Sequence, residues 1–139
     1  MSRALPWVLS AYIAFVFVQS LFFKFAAADE SIYIFQTIEN WLGLDFFEPF
    51  MRNFIGASEM LCSVLLFIPV TRPLGALGSL IIISGAAVFH LFSPLGIEVQ
   101  GDGGTLFILA LGVMAASATI IYLERNNYRT LPQRLGYWA

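Results

Sequence analysis

Four side chains stand where an apolar sequence makes polar groups costly, and each could do chemistry. Glu59 lies inside the apolar stretch that ends at Val70, and His90 is the one histidine in 139 residues. Lys24 and Gln19 fall near the end of the first apolar run. A carboxylate inside hydrocarbon takes up a proton or finds a cation, and His90 and Lys24 are the available partners for Glu59. A Glu59–His90 pair could pass protons or hydrogen-bond a quinone-type carbonyl. The same residues could instead form interhelical hydrogen bonds that fix helix register, worth about 0.6–2 kcal/mol each. Lys24 could also snorkel toward the surface, and Gln19 could serve as polar glue.

Other chemistries find little support. One histidine and one cysteine, Cys62, give no disulfide, no bis-histidine haem and no ligand set for zinc or copper, so no metal site is expected. Cys62, among Leu61, Val64 and Leu65, reads as a small buried hydrophobe. Gly101-Asp102-Gly103-Gly104 lacks the Gly-Lys-Ser/Thr of a phosphate cradle and the alternating acids of a calcium loop. It reads as a turn into a helix capped by Asp102 or Thr105.

The elements that carry these residues follow from composition. Of the 139 residues 59% are hydrophobic and 12% charged, against roughly a quarter charged in a soluble domain. One core of this size cannot hide so much apolar surface, so lipid is the expected solvent and partner. A net charge of −2 gives no basic field for nucleic acid. The length fits a single membrane domain, 1–139. Crossing the bilayer takes about 20 apolar residues. Four stretches are read as spans: Leu5–Phe25, Phe50–Val70 (starting as early as Phe46), Leu74–Leu95 and Thr105–Leu123, with a basic tail over 124–139. The predicted fold is an all-α, antiparallel four-helix membrane bundle.

Local signals frame these spans. Thr71-Arg72-Pro73 forces a tight turn, and Pro94 with Gly96 ends the third span. Asp45 and Glu48 have capping-box spacing, with Pro49 in the first turn of the second helix. Between the first two spans, Ile34, Ile38, Trp41 and Leu42 share one helical face, with Ser31 to cap the start and Gly43 to end it. This predicts a short amphipathic helix in the outer interface, either a plain anchor or a lid. Gly75 with Ser79, Gly112 with Ala116, and Gly56 permit close helix approach, within one chain or in a homo-oligomer.

With four spans, Arg3, Arg72, Arg125, Arg129 and Arg134 share one side; Lys24 and Arg52 share the other with seven acids. The positive-inside rule then puts both termini in the cytoplasm. At about 1.5 Å per residue, Gln19, Glu59 and His90 lie roughly 9, 12 and 7 Å below the outer ends of their spans. With Lys24 they are predicted to converge on one outward polar cluster. Arg3, the apolar run and Ala26-Ala27-Ala28 have the layout of a signal peptide. The run exceeds a usual signal core and Lys24 interrupts it, so an uncleaved first span is expected. The tail, with three arginines and several aromatics, is expected to lie on the anionic inner leaflet.

A family resemblance rests on four motifs in order. The first helix ending in Lys24-Phe25, the Gly56-Ala57-Ser58-Glu59-Met60 run, the Thr71-Arg72-Pro73-Leu74-Gly75 turn and Ala86-Ala87-Val88-Phe89-His90 resemble the DoxX pattern. The acidic segment between the first two helices is longer than in many members. The resemblance implies a four-helix bacterial inner-membrane protein, and Lys24, Glu59 and His90 as its motif residues. The family is named after a subunit of a thiosulfate:quinone oxidoreductase, and some members belong to redox complexes. The function expected is therefore an accessory or quinone-contacting subunit of a membrane redox system, with no catalytic activity of its own and a redox partner on the outer face. The alternatives are a small proton-coupled transporter, for which inverted repeats are not visible, and a structural scaffold.

Overall fold

The computed structural model describes residues 4–134, and every regular element among them is a helix. These are α1 (Ala4–Phe25), α2 (Asp29–Leu42), α3 (Phe47–Leu66), α4 (Arg72–Phe92), α5 (Thr105–Leu123) and α6 (Asn127–Arg134). Arg3 and the tail from residue 135 on, Trp138 included, lie outside the described residues, as do the side chains from Leu131 onward.

Three of these helices, α1, α4 and α5, are long and apolar enough to cross a membrane. Four such stretches were expected. The helix at the predicted second span, α3, carries Glu48, Arg52, Asn53 and Glu59, a polar load that takes it out of that class. It also ends at Leu66 rather than Val70, because Pro69 cannot continue a helix. The carbonyls orphaned there are claimed by side chains: Thr71 Oγ1 donates to Leu65 O at 2.9 Å and Arg72 Nε to Leu66 O at 2.9 Å.

The other helix limits have local causes. Ser93, before Pro94, is extended at φ −106°, ψ 169°, and ends α4. Gly43 closes α2 in the left-handed conformation at φ 73°, its N–H donating to Glu39 O at 2.8 Å. The start of α2 is set at Ala28, not Ser31, which is buried inside the helix. Nor does Asp45 cap α3. Glu48, extended before Pro49 at φ −103°, ψ 126°, interrupts the helix, which restarts at Pro49.

Helix α1 packs on α3 and α5, and α4 packs on the same two. Ile13, Phe17, Leu66, Ala76, Val113 and Ile120 fill the core between them. The small residues serve this packing within one chain. A Cβ on Gly75 would stand 2.9 Å from the Leu66 nitrogen, and one on Gly78 2.7 Å from Cys62 Sγ. A Cβ on Gly112 would overlap the Tyr12 hydroxyl. Helix α2 packs on α3 through a second core, in which Phe35 and Ile38 meet Phe47, Leu95 and Val99. Its buried face is Ser31, Phe35 and Ile38, rotated from the predicted one; Trp41 and Leu42 stay exposed, with Trp41 edge-on to Phe89 at 6.3 Å.

Candidate functional site

The last turn of α1 brings Lys24 against α3. Its Nζ lies 3.1 Å from Glu59 Oε1 and donates to Ser20 Oγ one turn back. Both partners are withdrawn from the surface: Lys24 is 9% exposed and Glu59 4%. The approach to Glu59 Oε1 is off the direction of a hydrogen bond, so charge rather than alignment holds this pair. Ser63 Oγ donates to the Glu59 carbonyl at 2.8 Å.

A second pair lies two turns earlier on α3. Arg52 Nε donates to both Glu48 carboxylate oxygens at 3.0 Å, and its NH1 reaches the Lys24 carbonyl. The interruption at Glu48 has a use here, since its freed N–H donates to Glu39 Oε1 on α2 at 3.0 Å. Gln36 Nε2 donates to the other Glu39 oxygen at 2.9 Å. Two cations and two carboxylates thus form a balanced, largely buried set between α1 and α3, and the Glu39 carboxylate ties it to α2. Buried charges persist only in such pairs.

The four residues expected to converge do not all meet. Lys24 and Glu59 pair. Gln19 is exposed on α1, because five residues of helix turn it about 140° away from Lys24. His90 is buried but looks elsewhere. Its Nδ1 lies 2.8 Å from Gly96 O, and its ring meets Phe107 at 5.6 Å. A carbonyl only accepts, so Nδ1 carries a proton, and in the neutral ring the lone pair falls on Nε2. Among the described residues nothing donates to Nε2.

The loop that receives His90 is organised by Asp102. Its Oδ1 accepts from Val99 N–H at 3.0 Å and Gly104 N–H at 2.8 Å, and its Oδ2 from Leu106 N–H at 3.1 Å, which caps α5 as expected. Partial desolvation pushes this carboxyl up; the three N–H donors, and the charge of His90 when its ring is protonated, outweigh it and hold the group below its ordinary value of 3.8. A depressed carboxyl stabilises the fold above its unfolded value, and that contribution is lost as pH falls through the folded one. Amide exchange at Val99, Gly104 and Leu106 should therefore rise over its intrinsic rate as pH drops below about 4, and not between pH 5 and 8.

A further charge cluster, at the opposite end of the helices, was not singled out in the sequence. Arg72 is 5% exposed, with its guanidinium 4.4 Å from the Trp7 ring centroid and NH1 3.7 Å from Glu124 Oε2. Helix α6 docks on it: Asn127 Nδ2 donates to Glu124 Oε1 at 3.2 Å and Tyr128 OH to Pro73 O at 2.8 Å. Burial, then the Glu124 charge, push the Tyr128 phenol up, which keeps it a neutral donor. The readable signals for the first cluster were spacings, four residues for Ser20–Lys24 and Glu48–Arg52 and seven for Arg52–Glu59, whereas Arg72, Trp7 and Glu124 lie too far apart in sequence to show one.

No curated protein and no solved structure matches the chain. One family model, described as DoxX-like family, matches residues 8–118, from the first helix through most of α5. That match covers well over half of the sequence, and the chain belongs to the DoxX-like family.

Proposed function

We propose that this DoxX-like membrane protein is an accessory subunit of a redox system in a bacterial inner membrane, without catalytic activity of its own. In this reading α1, α3, α4 and α5 all cross, as an antiparallel four-helix bundle. Pairing of Glu59 with Lys24 and of Arg52 with Glu48 lowers the cost of taking α3 through lipid. Arg72, Arg125 and Arg129 then face the cytoplasm with both termini, and α2 lies at the outer interface.

The observation that carries the proposal is where the outer cations go. Lys24 and Arg52 are both buried, while Asp29, Glu30, Asp45 and Glu98 are exposed. The outer surface therefore presents carboxylates to a partner, and a redox protein with a basic face fits it. A quinol at the outer half of the bundle would meet His90. With the ring neutral, Nε2 can accept the proton of one quinol hydroxyl while the imidazolium stays anchored by Nδ1–H to Gly96 O, and the second proton and both electrons pass to the redox partner, which carries out the oxidation. The test is quinol oxidation in membranes carrying His90→Gln, which should fall about tenfold or more if a proton acceptor is lost.

A second reading, a structural scaffold, is favoured by the closure of the Lys24–Glu59 pair, whose partners neutralise each other with little surface left. There the pair sets helix register and His90→Gln leaves the rate unchanged.

A further inference from the structure

The side chains that α1 turns outward repeat at alternating steps of three and four. Val8, Tyr12, Phe15, Gln19 and Phe22 form this stripe; all but the half-buried Tyr12 are exposed, Phe15 and Phe22 each at 66%. That spacing is the seam of two paired helices. Exposed apolar residues alone say little in a membrane protein, since lipid covers them. The informative residue is Gln19. It is exposed beside Val18, about four and a half residues, or roughly 7 Å, from the midpoint of α1 toward its outer end.

An amide turned into hydrocarbon leaves two donors and an acceptor unmet. Most other exposed polar side chains of these helices are provided for, and Asn53, an exposed amide without a hydrogen bond among the described residues, stands about one turn past Pro49 near the outer end of α3. Thr119 Oγ1 donates to Ala115 O at 2.7 Å and Thr105 Oγ1 to Asp102 O at 2.7 Å, and Trp7 and Tyr122 stand at helix ends, where water is near. Gln19 has no hydrogen bond among the described residues.

We infer that a second copy of this chain covers this face, with α1 against α1 about a two-fold axis. A two-fold axis brings each residue of the seam against its own counterpart. An amide is both donor and acceptor, so Gln19 can satisfy Gln19 of the partner subunit where another apolar surface could not. The inference rests on the reading that α1 spans the membrane.

Cys62 is the one cysteine, so a Cys62→Ala background allows single-site cross-linking of the full chain in membranes. Cysteines placed at Phe15, Gln19 and Phe22 should join into disulfide-linked dimers on mild oxidation. Cysteines at Ile81 on α4 and Ile108 on α5, exposed to 65% and 63%, should not. Gln19→Leu in the unmodified chain should lower the dimer fraction, counted by photobleaching steps in vesicles, by about 3- to 30-fold in association constant. Equal cross-linking at all five sites, cross-linking at none, or single-step bleaching of the unmodified chain overturns the dimer. Ready labelling of Gln19→Cys by a membrane-impermeant maleimide overturns the spanning reading as well, and so separates the two failures.

Discussion

Glu59→Leu should destabilise the fold by about 3–5 kcal/mol, because it strands Lys24 as a buried cation with no counter-charge. Lys24→Met should cost a similar amount by stranding Glu59. The double variant Lys24→Met/Glu59→Leu should recover most of the loss, since replacing a buried pair by apolar groups of similar size is often neutral. Arg52 sharpens the expectation. Its NH1 bonds the Lys24 carbonyl, not the Lys24 side chain, so the α1–α3 junction keeps one polar tie when the pair is gone. Unfolding of the four proteins in mixed micelles, read as a double-mutant cycle, measures the coupling. Additive single and double losses would show that the two charges do not depend on each other.

At the other end, Arg72→Leu should cost about 3 kcal/mol, at the low end of the range for breaking a buried pair. It removes the stack on Trp7, the bond to Leu66 O and the counter-charge of Glu124 at once. The cost stays below that at Glu59 because Glu124 follows the last residue of α5, where headgroup water is within reach. Adding Glu124→Gln should return part of the loss and leave the amide able to bond Asn127. Protease cleavage within α6 should speed up in Arg72→Leu and slow again in the double variant. Equal cleavage of all three would mean that α6 docks without this cluster.

The sequence made helix existence and depth readable, and helix azimuth much less so. Thr105–Leu123 is a span in both descriptions because turn, cap and apolar run all coincide there. Glu59 and Lys24 could be matched by depth. His90 could be placed at a similar depth, but depth does not say that it turns toward Phe107 and the loop while Glu59 turns toward α1. Rotation about a helix axis is decided by which faces pack, and in a chain apolar on every side the hydrophobic pattern marks that face weakly. α2, with a polar side, was placed better, yet its face was read one residue off because Phe35 was passed over for Trp41. The second span was read as more apolar than it is, since the paired charges of α3 cancel in space rather than in sequence.

The most direct test of the redox role is the rate of quinol oxidation in membranes from cells lacking the chain, complemented with either the natural sequence or His90→Gln at equal membrane content. With Nδ1–H on Gly96 O and Nε2 as proton acceptor, the variant should oxidise quinol about tenfold more slowly or worse, and the partner should stay bound. An unchanged rate with the partner bound would contradict a part for His90 in quinol contact and leave the buried charges as structural ties.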